Sequence, residues 1–325
     1  MRVFVAGATG AIGKRLIPAL RDRGHDVVAM TRSPEKIAAL HAAGAEAVVA
    51  DALNRRAVDS AVRQAHPDVI MHQLTSLAHV KQLRRFDREF AMTNRLRTEG
   101  TENLLAAARS AHVKRFIAQS YGGWTYARGG DGPKTERDHF EPRPPRQQRQ
   151  SLAAIRQLEH SVLSGRRMVG IVLRYGTLYG PGTNLGVDGD LVELVRARRL
   201  PVIGGGQGVW SFIHVEDAAS AAIAAMEGGA AGVYNVADDE PAPVAVWLPE
   251  LARSLGAPPP RRIPAWLGLL VGGEVTVSLM TRVRGISNAK ARTELRWTPR
   301  YRSWREGFRT GLGMDDRTRR VSRAS

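Results

Sequence analysis

Cysteine is absent from the 325 residues. That excludes a disulfide framework, a thiolate metal site and a cysteine nucleophile. Long apolar runs are absent too. The longest near the C-terminal end, Ile263 to Val271, is far too short to span a bilayer. No secretory signal is expected, because MRVFVAGATG enters a strand and a glycine turn at once. A cytoplasmic location is the expectation. Acids are outnumbered, 31 against 48 cations, for a net charge of +17, and only 6 of those cations are Lys. The excess gathers from Arg282 onward, with 13 cations and 4 acids. A nucleic-acid surface would explain this charge, but no aromatic-interleaved basic stripe accompanies it. An arginine-rich coding bias explains it better, so neither nucleic acid nor membrane is an expected partner. The 9 His show no metal-ligand spacing, and His214 reads as a helix-start residue.

What is present is the composition of a globular protein, 43% hydrophobic with 33 Gly and 17 Pro. The length suits one large domain or two intimately joined ones. In the first half, apolar runs at 2–6, 26–30, 47–50, 68–72 and 115–119 alternate with amphipathic stretches. The stretch from Phe86 to Ala111 reads as one long helix or two. Continuous apolar strands separated by helices predict βαβ units and a parallel sheet buried on both faces. Gly129–Gln150 breaks the rhythm with Pro133, Pro142, Pro144, Pro145 and charges of both signs. It is expected to be an exposed, mobile lid over a substrate pocket.

Gly7-Ala8-Thr9-Gly10-Ala11-Ile12-Gly13 follows the first strand and opens the first helix. Such glycines permit a tight turn, close approach of a pyrophosphate and close helix–strand packing. The helix N-terminus offers free N–H groups to the phosphates. The residues that this turn and the end of the second strand are expected to bring to the cofactor are Gly7, Thr9, Gly10, Ala11, Ile12 and Gly13, with Arg32. Thr31-Arg32 stands at the end of the second strand, where an acid would hold a ribose 2′-hydroxyl. Arg32 suits a 2′-phosphate, so NADP(H) is expected over NAD.

The G-x-x-G-x-x-G spacing resembles the extended short-chain dehydrogenase/reductase superfamily, the NAD-dependent epimerases and dehydratases. Four further stretches carry the resemblance: Gly100-Thr101-Glu102-Asn103-Leu104-Leu105, Leu173 to Gly182, Phe212 to Ala219, and Leu295 to Pro299. It covers about residues 1 to 312, and it implies further cofactor contacts at Asp51, Ala52, Leu74 and Tyr175. It implies an α/β fold, a Rossmann-like doubly wound parallel sheet with a smaller C-terminal α/β substrate domain. Residues 1–177 with 207–237 would form the dinucleotide-binding domain, and 178–206 with 238–312 the substrate domain. A polar basic tail would occupy 313–325. A small-molecule substrate is the expected partner, with a homodimer as an open option.

One departure outweighs these matches. The family's catalytic pair is Tyr-x-x-x-Lys, followed four residues later by Glu. Anchored on Glu159, those positions hold Ser151 and Ile155, and no Tyr or Lys lies between Thr135 and Met168. Tyr121 falls where the family has a catalytic Ser or Thr. It is the leading candidate for proton donor, with Ser120 and Tyr175 in reserve; an aromatic pocket wall is the equal alternative. Arg97 falls near the family's active-site Asn and reads either as an anion-binding residue or as a solvated helix Arg. Trp124 and Tyr126 read as substrate-stacking or packing residues. The resemblance implies an oxidoreductase or epimerase-type enzyme on a carbonyl, alcohol or sugar-like molecule with a non-standard proton donor. An NADP-binding redox sensor, or a redox-neutral isomerase or cyclase, stands beside it.

Overall fold

The computed structural model describes residues 1–77, 83–165 and 167–313. The chain alternates β1 (Arg2–Ala6), α1 (Gly13–Arg21), β2 (Asp26–Thr31), α2 (Ile37–Ala42), β3 (Glu46–Val49), α3 (Arg55–Ala65) and β4 (Val69–His72). Then come α4 (Phe86–Glu89), α5 (Ala91–Arg95), α6 (Thr101–Ser110), β5 (Arg115–Tyr121), α7 (Arg149–Leu163) and β6 (Val169–Tyr175). Short strands β7 (Thr177–Tyr179), β8 (Val202–Ile203), β9 (Val209–Trp210) and β10 (Phe212–His214) follow, with α8 (Asp190–Arg196) among them. After α9 (Val215–Gly228) the chain returns to the main sheet as β11 (Gly232–Val236).

Seven strands form that sheet in the order β11-β6-β5-β4-β1-β2-β3. Every pairing in it is parallel. Both faces are covered, which is why the strands read as continuous apolar runs rather than alternating ones. On one face Leu16, Ile17 and Leu20 of α1 pack with Ala218, Ala222 and Met226 of α9. On the other, Val58 and Val62 of α3 join Leu104 and Leu105 of α6 and Leu158 and Val162 of α7. The strand order reverses between β1 and β4, and the carboxyl ends on either side of that point open into a cleft, as open α/β sheets do.

Of the remaining elements, α12 (Ala289–Glu294) packs on the main core through Ala291, while β12 (Ala242–Pro243), α10 (Val244–Ser254), β13 (Arg262–Ile263), α11 (Ala265–Thr281) and α13 (Trp304–Thr310) gather around a second core. Trp247, Trp304, Phe212 and Phe308 are fully buried there. No helix among the described residues is long and apolar enough to cross a membrane. The expected tail lies outside the described residues from 314 on.

Two expectations are corrected. The stretch from Phe86 to Ala111 is neither one helix nor two. It breaks at Phe90 and again in a wide π turn, Leu96–Gly100, before α6. Gly129–Gln150 is not a free flap over the cleft. Lys134 N–H donates to the Gly285 carbonyl at 2.6 Å, Ser287 N–H donates to the Lys134 carbonyl at 2.8 Å, and Asn235 N–H donates to Glu136 at 2.7 Å. Lys134, Glu141 and Gln148 are buried, and none of the segment lines the cleft. Lys134, Glu136, Asp138 and Glu141 spend their charges on backbone partners and ion pairs, which tie the segment down.

Candidate active site

A cleft of about 1280 Å³ runs along the carboxyl ends of the strands. That exceeds the usual ligand pocket and leaves room for a dinucleotide and a second molecule. Three glycines shape one end. Gly7 has φ +96°, and a Cβ there would lie 2.6 Å from the Gln73 backbone. A Cβ on Gly13 would lie 2.2 Å from the Gly7 carbonyl oxygen, so helix and strand touch only because it is missing. Gly10 faces the cleft and its Cβ would meet nothing nearer than 3.3 Å. It leaves the backbone bare toward a ligand.

Thr9, Ala11, Arg32, Asp51, Ala52 and Leu74 all line this part of the cleft. Thr31 is turned inward, and its Oγ1 accepts the Ser33 N–H at 3.1 Å. That small turn leaves Arg32 exposed on the rim. Lys14, Arg15 and Lys36 line the same end. Lys36 stands four residues after Arg32, a spacing that could have drawn attention to it in the sequence.

The other end is aromatic and apolar. Tyr121 closes β5 with its hydroxyl 3.1 Å from Thr177 Oγ1. Its ring lies over Gly123, where a Cβ would strike the phenol oxygen at 2.5 Å. Burial pushes the Tyr121 phenol up, so it stands as a neutral donor at neutral pH. Trp124 packs edge-on to Phe86 at 5.2 Å, and Phe86 stacks on Phe90 at 4.1 Å. All four rings line the cleft.

Several sequence candidates are placed elsewhere. Ser120 alternates away from Tyr121 on β5 and donates to Glu159 at 2.7 Å, behind the cleft. Tyr175 is fully buried and donates to the Ala218 carbonyl at 3.1 Å, so its ring is part of the core and not of the cleft wall. Ile12 also packs in the core, and Gly13 is a packing glycine rather than a lining one. Tyr126 accepts from Arg174 at 2.7 Å and donates to Asn235 at 2.6 Å, a structural role. His214 caps α9, accepting the Glu216 N–H at 3.3 Å.

The start of α7 is closed. Asp87 accepts from Ser151 Oγ at 2.6 Å and from the N–H groups of Ser151 and Gln150 at 2.9 and 3.0 Å. It supplies the missing acceptor for the helix start. Ile155 is fully buried among Phe86, Trp124 and Leu152. Neither side chain lines the cleft.

Arg97 does line it, and the π turn is what brings it there. Such turns commonly mark functional positions. The residue is 7% exposed, and burial lowers its guanidinium to about 10, which leaves it charged at neutral pH.

A model of the NAD dependent epimerase/dehydratase family matches residues 3–237. A 3-diazoavenalumate denitrifying reductase of a Streptomyces species is 47% identical over 95% of this chain and 99% of that protein. A 4-hydroxy-2-methyl-3-oxo-4-farnesyl-3,4-dihydroquinoline-1-oxide ketoreductase of Stigmatella aurantiaca is 31% identical over 79% of this chain and 74% of its own. Among solved structures, UDP-glucose 4-epimerase of Thermotoga maritima superposes with a TM-score of 0.76, covering 96% of this chain and 97% of that one at 22% identity.

Proposed function

The chain belongs to the NAD-dependent epimerase/dehydratase family and is an enzyme of the oxidoreductase or epimerase type, and on that premise we propose that it is an NADP(H)-dependent reductase that exchanges a diazo group for hydrogen and releases dinitrogen. The glycine turn fits a pyrophosphate. Gly7 and Gly13 fix its shape and Gly10 leaves the backbone open, while Arg32 and Lys36 would meet a 2′-phosphate. When bound, the reduced nicotinamide supplies a hydride.

The observation that carries the reading is the closed start of α7. The family positions for Tyr and Lys hold Ser151, clamped by Asp87, and Ile155, buried among apolar side chains. Among the described residues no cation adjoins that hydroxyl to make it a useful acid. A carbonyl that accepts hydride becomes an alkoxide and needs a proton. An aryl diazonium does not. Its carbon forms a C–H bond as the C–N bond breaks, the bonding pair leaves with N₂, and the positive charge is discharged. The 47% identical relative is named for this kind of change. Phe86, Phe90 and Trp124 give a flat aromatic substrate a wall to lie against.

The Tyr121 hydroxyl on the cleft wall favours a second reading, carbonyl reduction with Tyr121 as the proton donor. The 31% identical ketoreductase is in keeping with it. The test supplies NADPH with benzenediazonium, with a β-keto ester and with UDP-glucose. NADPH oxidation matched by N₂ release and benzene formation is expected. Turnover of the keto ester or the sugar nucleotide without the diazonium overturns the first reading.

A further inference from the structure

Resting on that reading, we infer that Arg97 is the anchor for an anionic group of the substrate, and that the substrate is an apolar, flat monocarboxylate rather than a sugar nucleotide.

The charge balance around Arg97 comes first. Among the described residues no carboxylate lies within ion-pair distance of it. The charged and titratable groups that act on it are Glu159 of α7, Tyr121 of β5 and His72 of β4. Glu159 is already engaged: Ser120 Oγ donates to it at 2.7 Å, and Arg174 binds both its oxygens at 2.8 and 2.5 Å. Buried His72 is held neutral, its Nε2 3.0 Å from Thr101 Oγ1. Tyr121 is a neutral phenol. A guanidinium nine-tenths buried therefore faces the cleft with its charge unmatched. Proteins seldom retain a buried charge without a partner.

The side chain is also held in place. Arg97 Nη1 donates to Asn94 Oδ1 at 3.4 Å, Asn94 Nδ2 donates to Ser151 Oγ at 3.0 Å, and Ser151 Oγ donates to Asp87 at 2.6 Å. Ser151, at the position where the family keeps its acid, is the middle of a relay that orients a cation. It is a positioning residue. A planar guanidinium so oriented suits a carboxylate, which it can meet with two parallel N–H bonds.

The rest of that end narrows the class. Phe90, Trp124, Leu191, Leu194, Trp210 and Leu279 line it, and Arg84 and Arg97 are its cations among the described residues. A nucleoside diphosphate would bring two phosphates to this apolar wall. A single carboxylate on an aromatic or unsaturated body matches one buried cation.

Binding to the NADP⁺-loaded enzyme tests this without any turnover, so its failure is separate from failure of the denitrification reading. The probes are cinnamate, methyl cinnamate and UDP-glucose, followed by calorimetry. Cinnamate should bind roughly tenfold or more tightly than its ester, the scale of a charged hydrogen bond. In Arg97→Met that preference should vanish while NADP⁺ affinity holds. The variant should melt no lower than the parent, since it removes an uncompensated charge. Arg97→Lys should restore part of the preference, and Ser151→Ala should weaken it. An unchanged preference in Arg97→Met overturns the proposal. So does a parallel loss of NADP⁺ affinity, which would assign Arg97 to the cofactor. Should Arg97→Met not fold, a parent enzyme that binds ester and acid alike, or prefers UDP-glucose, overturns it.

Discussion

One end of the cleft is shaped by backbone and the other by side chains. At the glycine turn, a Cβ on Gly7 or Gly13 would run into main-chain atoms, which no neighbouring rotamer can relieve. At the aromatic end the shape comes from Tyr121, Trp124 and Phe86, from Arg97, and from the Ser151–Asp87 clamp. Chemistry can be rewritten at one of these ends far more readily than at the other. Backbone geometry ties the cofactor end to the fold, so it changes only if strand and helix separate. The side-chain end can change its chemical groups while the sheet stays as it is.

A change at the backbone end should do the most damage. Gly13→Val puts a branched side chain where one Cβ already overlaps the Gly7 carbonyl at 2.2 Å. Overpacking of this kind costs about 1–3 kcal/mol or more. Cofactor binding should be abolished and the melting temperature should drop, measured by calorimetry and thermal denaturation. Retained NADPH affinity would show that this turn yields as readily as side chains do.

Arg32→Ala comes next. The exposed guanidinium on the rim should contribute about 1.5–3 kcal/mol of NADPH affinity, the worth of a charged hydrogen bond, and almost nothing to NADH. Equal affinities of the parent enzyme for both cofactors would remove NADP(H) from the reading.

The Arg97 charge gives a pH signature. Burial lowers its folded pKa to about 10 from 12.5. The charged form that binds a carboxylate is therefore complete at neutral pH and is lost as pH rises through about 10. Cinnamate affinity should be flat through neutrality and fall above that point in the parent, with no such fall in Arg97→Met. A decline near neutrality in the parent would point to another group.

The sequence showed the sheet, the glycine turn and Arg32 because each is a local signal: apolar runs of strand length, a glycine spacing, a cation where an acid would stand. Arg97 was visible only as two equal readings. Its burial depends on a π turn that interrupts an otherwise helical pattern, and no residue between Leu96 and Gly100 announces that turn. Ser120 and Tyr175 were misplaced for a simpler reason. Adjacent residues of a strand face opposite ways, so Tyr121 in the cleft sends Ser120 behind it. Tyr175 was drawn in by its neighbours in a matching motif, while its ring turns to α9. Gly129–Gln150 reads as loose because proline and charge imply exposure, yet Lys134 and Glu136 tie it to Gly285, Ser287 and Asn235 far along the chain.

Asp87→Ala reads the clamp itself. It removes the acceptor for two N–H groups and one hydroxyl at the start of α7. The loss should be about 0.5–2 kcal/mol of stability, as for other helix-start acceptors. Denaturant unfolding measures it, and an unchanged midpoint would mean that water replaces the carboxylate at no loss.

The smallest expected effect decides most about the chemistry. Tyr121 has every attribute of a proton donor: a neutral hydroxyl, a bond to Thr177, and a place on the cleft wall. Where a general acid carries a reaction, removing it lowers the rate by about 10²–10⁴-fold. Hydride transfer to a diazonium carbon leaves no oxyanion to protonate, so the hydroxyl has nothing to give. Tyr121→Phe keeps the ring against Trp124 and deletes only the oxygen. On benzenediazonium its kcat should stay within about threefold of the parent, since the lost contact is one neutral hydrogen bond of about 0.5–1.5 kcal/mol. On a β-keto ester, if the parent reduces one, the same variant should lose the full general-acid factor. A large loss on the diazonium would mean that a proton moves in the step that limits the rate, and would return the side-chain end of the cleft to acid–base catalysis.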